Sequence, residues 1–275
     1  MYLEWEAGEA NIDVNHEKCI VTYIDILGFK NFVESSASDV TARVGILQAL
    51  TKYEQEIDNN YSIITVEGEE DTQPSKKFDV RNFSDSVLRF RRLGGEVNIG
   101  QAVSHEVSDI CFAQAALLEH GVLLRGGMTI GELSFNSKHV YGPALLKAVD
   151  LEKRVATYPR IVADDEIHQH FSDAANCGEP FIDTDFDGTP FLNYLVSDIF
   201  CPFNDLNNSQ IHHVSESIKI RIAYLDKALI HERQKLLWLA HRYDKMLGNL
   251  MSRHPHETEH LKDFLIAPEL SSKKI

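Results

Sequence analysis

One run of residues limits what this chain can fold into more than any other. It is CIVTYIDI at positions 19–26, a β-prone and mostly apolar stretch with Asp25 near its end. Such a run reads as a central strand. A carboxylate inside an apolar strand is costly to bury unless it is paired or binds a cation. Gly28, just beyond it, lets the backbone turn tightly and approach a ligand. Taken alone, Asp25 fits a second role equally well, that of a cap for the helix that follows.

The rest of the chain surrounds that strand with alternating patterns. Val40, Val44, Leu47, Leu50 and Tyr53 recur at helical steps, which predicts an amphipathic helix over 39–57 with Ser38 or Asp39 as its cap. A second strand is expected over 61–66, followed by an acidic loop over 68–77 without core material. Residues 78–83 and 86–91 are β-prone on either side of Ser84 and Asp85, the pattern of a hairpin with Asp85 at or near its tip. A helix over 101–120, a strand over 122–133, a helix over 143–157 and a short strand over 159–164 follow. The order β-α-β-β-α-β, then α-β, implies an α+β fold: a ferredoxin-like mixed sheet with helices on one face.

From residue 211 to 251 the texture becomes helical throughout. Apolar positions from Val214 to Leu250 recur with charges between them, as one helix of ~60 Å or as a helical hairpin. Two units are expected on this basis, an α+β domain over 1–205 and a C-terminal helical extension over 206–275.

Composition excludes several function classes. Lys and Arg number 27 against 42 Asp and Glu, a formal charge of −15. An acidic surface repels phosphate backbones, so no nucleic-acid partner is expected, although a divalent metal can invert the sign of one local site. The 4 cysteines have no CxxC or regular spacing, which argues for a reducing compartment. The N-terminus is acidic and polar, unlike a secretory signal, and no run approaches the ~18 apolar residues of a membrane span. A cytoplasmic protein is expected. No GxxxxGK[ST] occurs. His256, Glu257 and His260 spell HExxH in a polar stretch after Pro255, without the apolar flank a zinc site needs.

Two further segments bear on chemistry. Asp85, like Asp25, lies between apolar strands, and pairing of the first strand with the hairpin would bring both carboxylates to one edge. Like charges that close need a cation or a shared proton. Two divalent ions ~3.5–4 Å apart would satisfy both and clamp a phosphoryl displacement. The other segment runs from Arg125 through Gly126, Gly127 and Gly131 to Gly142. Its strand glycines allow close backbone approach, and its last glycine precedes a helix N-terminus.

Together these segments resemble the class III nucleotidyl cyclases. Asp25-Ile26-Leu27-Gly28-Phe29 matches their Asp-Ile-x-Gly-Phe, Asp85 matches the hairpin aspartate, and Arg125 to Gly131 matches Arg-x-Gly-Ile-x-x-Gly with Met128 for Ile. The resemblance spans roughly residues 19–165 in the correct order. It implies that Asp25 and Asp85, with the carbonyl of Ile26, hold two divalent ions, Mg2+ or Mn2+. It also places Gly28 and Phe29 where amides meet the phosphates. The departures are equally specific: Leu146 and Asp150 stand where purine cyclases carry Asn and Arg, and Arg81 and His139 where they carry the purine-reading Lys and Asp. With YGPAL and YPRIV, the set looks like the pyrimidine cyclases of bacterial antiphage Pycsar systems. That likeness implies a homodimer that makes cyclic UMP from UTP, or cyclic CMP from CTP, for a separate effector. Arg81 and His139 become expected base contacts, and Arg125, Lys147 or Arg154 phosphate contacts. The rival expectation is an inactive cyclase-homology domain that binds nucleotide.

Overall fold

The computed structural model describes residues 15–35, 40–58, 78–94, 98–171, 179–201, 206–224 and 230–266. Its centre is β1 (Asn15–Ile26), the strand carrying Asp25, which is antiparallel to β3 (Ser86–Arg92) on one side and β4 (Leu124–Phe135) on the other. β2 (Phe78–Phe83) flanks β3, and the turn between them holds Ser84 at φ 62°. β5 (Val140–Tyr141) folds back on β4, whereas β6 (Ile161–Ala163) lies parallel to it. β7 (Ile182–Thr184) and β8 (Pro190–Leu192) complete an 8-stranded sheet in the order β2-β3-β1-β4-β6-β8-β7, with β5 off the path. The first four strands of that order give the ferredoxin-like arrangement, and one parallel pair among antiparallel ones makes the sheet mixed.

Alternation along β1 feeds two cores. Ile20, Ile24 and Ile26 face a large apolar cluster, while Cys19 and Val21 face a smaller one across the sheet. Each fully buried Ile contributes roughly 1.5–3 kcal/mol. The large cluster takes α3 (Ile99–Glu119), whose Asn98 cap accepts the Gln101 amide at 3.1 Å and whose Val103, Val107, Ile110 and Leu117 are fully buried. It also takes Tyr53 and Ile57 of α2 (Val40–Asp58), which follows the short α1 (Phe29–Ser35). The smaller cluster takes α4 (Pro143–Arg154) through Ala144 and Ala148. Helices therefore cover both faces, which corrects the expectation of one: α4 is the connection between parallel β4 and β6, and it crosses the face opposite α3.

The apolar stripe expected along α2 is also only half used. Tyr53 is fully buried, but Val40 and Leu47 stay 65% and 64% exposed, because only the C-terminal half of the helix reaches α3 and the sheet. Its expected cap, and the expected strand and loop over 61–77, lie outside the described residues.

On the α3 side of β3, Arg89 and Arg91 pair with Glu106 and Asp109 of α3. Arg89 Nε to Glu106 Oε1 is 2.6 Å and Arg89 Nη2 to Asp109 Oδ2 is 2.8 Å. Arg91 Nε adds 2.8 Å to the other oxygen of Glu106. All four side chains are buried.

After the short α5 (Asp165–His170) and α6 (Ser197–Phe200), the described residues close with α7 (Asn208–Tyr224), α8 (Ile230–Arg253) and a 3-10 turn, Glu259–Phe264. The Tyr243 hydroxyl donates to the Ile211 carbonyl at 2.8 Å, which makes α7 and α8 an antiparallel hairpin rather than one long helix. Their apolar residues share the large cluster with the sheet. Trp238 Nε1 of α8 donates to Asp185 at 2.8 Å, and Asp185 also pairs with fully buried Arg160. Among the described residues, no helix is long and apolar enough to cross a membrane.

Candidate functional site

β1 ends beside the β2–β3 turn because its last residues pair on both sides at once. Asp25 stands opposite Ser86 of β3 and opposite Arg125 of β4. The Ile26 amide then donates to the Asp85 carbonyl at 3.1 Å, which fixes the hairpin tip against the end of β1. The two carboxylates singled out in the sequence thus come to one end of the central strand. Gly28, at φ 82°, turns the chain into α1 immediately afterwards, a left-handed conformation that favours glycine. The Phe29 side chain packs against the large core, so only its backbone remains toward the turn.

Asp25 is held from two directions. Ser86 Oγ donates to Oδ1 at 3.1 Å, and Arg125 Nε and Nη2 donate to Oδ2 at 3.2 and 3.1 Å. The same Nη2 lies 2.8 Å from Glu152 Oε1, an ion pair whose angles fall short of a hydrogen bond. Glu152 Oε1 is consequently buried without a hydrogen-bond partner among the described residues. The side chain of Glu152 is 2% exposed, that of Asp25 15% and that of Arg125 31%. Among the described residues, no donor bonds the Asp85 carboxylate, which sits half-buried on the turn.

The electrostatics follow from that geometry. Burial raises the Asp25 carboxyl above its ordinary value; Arg125 opposes the rise, Asp85 adds to it, and Ser86 opposes it again. Burial likewise raises Glu152, against Arg125 and with Asp25 and Asp85 on the raising side. Two acids, Asp25 and Glu152, thus share the guanidinium of Arg125, the negative charge of Asp85 acts on both, and Lys153 gives Glu152 further relief. A site with this imbalance favours one more positive charge. Among the described residues, no group of three or more His, Cys, Asp or Glu side chains is already spaced to hold a metal ion. Arg125 occupies the space between Asp25 and Glu152.

Glu152 is the member that sequence reasoning missed as a site residue. A signal existed: Ala144, Ala148 and Glu152 are four apart on α4 and form its buried face, where an acid is out of place. Tyr53 was legible only as core. Its hydroxyl donates to the Ile24 carbonyl at 3.1 Å, bracing β1 one residue before Asp25.

The glycines of β4 do allow a close approach, and it is the chain's own β1 and α4 that make it. A Cβ on Gly127 would collide with the Ala148 carbonyl oxygen and the Leu151 Cβ of α4, and one on Gly126 with the Tyr23 carbonyl oxygen. On Gly131 it would come within 3.2 Å of Ala144 Cβ. The chain itself fills these spaces, and the result is that α4 lies close enough to β4 for Glu152 to meet Arg125.

The remaining sequence candidates lie apart from Asp25. Arg81 donates to the Val80 carbonyl at 3.0 Å and the Asn136 carbonyl at 3.4 Å. His139 is exposed, and its amide donates to Asn136 Oδ1 at 2.7 Å, so these two residues share one turn. Lys147 pairs with Asp164 at 2.5 Å, and Arg154 pairs with Asp150 at 3.5 Å on the outer side of α4. His260 of the HExxH string hydrogen-bonds Asn208 at 2.7 Å.

No family model matches this chain, and no curated protein does. Solved structures do. The crystal structure of the adenylyl cyclase CyaB from P. aeruginosa is 14% identical, with a TM-score of 0.47 over 66% of this chain and 94% of that one. A class III adenylyl cyclase-like ATP-binding protein from Pseudomonas aeruginosa is 12% identical, with a TM-score of 0.41 over 74% of this chain and 41% of that one.

Proposed function

We propose that this chain is a nucleotidyl cyclase acting on a pyrimidine triphosphate. UTP is the first choice and CTP the alternative, with the 3′,5′-cyclic monophosphate and pyrophosphate as products. The observation that carries the reading is the meeting of Asp25, Asp85 and Glu152 at one end of β1 with Arg125 as the cation in contact. Oxygen-only donors suit a hard divalent ion, Mg2+ or Mn2+, and Glu152 Oε1 is left without a hydrogen bond beside them. Asp25 and Asp85, with the Ile26 carbonyl, are the groups that would hold two such ions. The chemistry two ions held there would supply is acidification of the ribose 3′-hydroxyl and neutralisation of charge on the pyrophosphate leaving group.

The chain's own residues do the positioning. Ser86 fixes the rotamer of Asp25 through its Oδ1. The amides of Gly28 and Phe29, in the turn that follows Asp25, are the proposed donors to phosphate oxygens. Arg81 of β2, whose side chain reaches the Asn136 carbonyl, and His139, whose amide donates to the Asn136 side chain, are the proposed base contacts. A second copy of the chain is proposed to close the site as a homodimer. The exposed Val40, Val44 and Leu47 of α2 supply an apolar face consistent with association. The cyclic product is proposed to act on a separate effector in defence against phage.

The test is incubation of the full chain with each of the four triphosphates and Mn2+, with products identified by mass spectrometry. Cyclic UMP is expected. Absence of every cyclic product sinks the enzyme reading, and cyclic AMP alone removes the pyrimidine assignment. A nucleotide-binding domain without turnover is the second reading. What favours it is Leu146, 71% exposed where the resembled family carries Asn, together with Asp150, engaged by Arg154. Retained nucleotide binding without product would select it.

A further inference from the structure

Arg125 holds a position that a cation bound to Asp25 would need. Asp25 Oδ2 takes two donors from Arg125, while Oδ1 takes Ser86. Two Arg125 donors already fill the two lone-pair positions of Oδ2, so a divalent ion binding that oxygen at ~2.0–2.6 Å must displace at least one of them. The guanidinium also has a second destination. Glu152 Oε1, 2.8 Å from Nη2, is buried and has no aligned hydrogen bond. Glu152 cannot itself move toward solvent, because it sits on the buried face of α4, which Gly127 and Gly131 hold tight against β4. A modest rotation of the Arg125 side chain would exchange two bonds to Asp25 for a two-pronged pair with Glu152 and satisfy the orphan oxygen. Arg125 is partly exposed and free to make that move.

We infer that Arg125 is a built-in substitute for the divalent cation: it neutralises Asp25 in the ion-free protein and transfers to Glu152 when the ion arrives. This rests on the reading of Asp25 as an ion-holding group. Glu152 is then a positioning residue that sets ion affinity through Arg125. The arrangement keeps Asp25 in place without an ion, and it makes loading a competition rather than a simple filling of an open site. Three acids clustered without Arg125 would repel one another. With it, the site stays folded and yields Asp25 only to a doubly charged competitor.

The experiment is titration of the full-length protein with Mn2+ alone, with free Mn2+ followed by electron paramagnetic resonance and folding checked by circular dichroism. Arg125→Gln is expected to tighten Mn2+ binding about 10-fold, the lower end of what groups around a metal site control. Arg125→Lys keeps the charge but lacks the fork that spans both carboxylates, and it should shift affinity the same way by a smaller factor. Glu152→Gln, which removes the second destination, should weaken binding about 10-fold. In the Arg125→Gln background the same Glu152→Gln change should have no effect, whereas a direct ligand or a bare charge effect would persist there. Unchanged or weaker binding in both Arg125 variants overturns the substitution. A persistent Glu152 effect in the double variant overturns its role through Arg125. Asp25→Asn separates the two layers: if Mn2+ binding is the same with and without Asp25, the ion-holding reading itself fails.

Discussion

Two charge clusters lie on opposite faces of the same sheet, and they are built on different balances. On the α3 face, Arg89 and Arg91 meet Glu106 and Asp109, two cations against two anions, all buried. The Arg89 guanidinium also stacks 3.5 Å over the Phe78 ring and donates to the Ile57 carbonyl at 2.6 Å. On the α4 face, Asp25 and Glu152 share the guanidinium of Arg125 near the end of β1, with the charge of Asp85 acting on both and Lys153 relieving Glu152, an excess of acid over base. A neutral, closed network holds elements together and needs no visitor. An unbalanced one at a sheet end keeps an excess of acid that the described residues do not neutralise. Burial alone would mislead here, since the more deeply buried cluster is the structural one.

The largest effect expected is on the neutral cluster. Arg89→Met leaves Arg91 facing the two buried acids Glu106 and Asp109 and should cost about 3–5 kcal/mol of stability, read by urea unfolding. If the loss is below about 1 kcal/mol, the cluster is not what joins α3 to the sheet. The unbalanced cluster should respond in the other way. Asp25→Asn should remove several kcal/mol of transition-state stabilisation, roughly 10³-fold in turnover, while leaving stability unchanged or slightly higher. A large stability loss in Asp25→Asn would erase the contrast between the clusters.

Acidity should also separate them. Burial favours a raised Glu106 carboxyl, but Arg89 and Arg91 outweigh it and hold the group below its ordinary value. The folded state therefore binds fewer protons than the unfolded chain, and the stability Glu106 contributes is lost as pH falls below the ordinary carboxylate range. Asp25 and Glu152 are raised, first by burial, so for them the folded state binds more protons. Their contribution is present at pH below the ordinary carboxylate range and is lost as pH rises through their elevated values. Wild type and Asp25→Asn, unfolded in urea across that range, should diverge on its upper side only. Parallel curves there would remove the strain assigned to Asp25.

Smaller effects test how α4 brings Glu152 to Arg125. Gly127→Ala forces a methyl against Ala148 and Leu151 and should cost about 1–3 kcal/mol, with the site disturbed as well, visible in thermal unfolding and in Mn2+ affinity together. The smallest change is expected at Arg154→Ala, whose exposed pair with Asp150 is worth less than about 0.5 kcal/mol. A larger loss would mean that the outer face of α4 also contributes to the comparison.

Much of this molecule follows from local pattern. The β-prone run at 19–26 had to be a strand with neighbours on both sides, and the 78–91 segment had to turn at Ser84 and Asp85. The helices over 101–120 and 143–157 needed only their apolar spacing to be recognised. Asp25 and Asp85 stood out because an acid between apolar strands demands a reason. Only the tertiary structure put α4 across the sheet from α3, left Val40 and Leu47 uncovered, and assigned the β4 glycines to helix packing. It alone brought Asp25, Arg125 and Glu152 together, residues separated by 100 and 27 positions. The reason is that periodicity tells which side chains share a face, whereas strand order and crossover side decide what that face meets. A cluster's charge balance exists only once those partners are chosen.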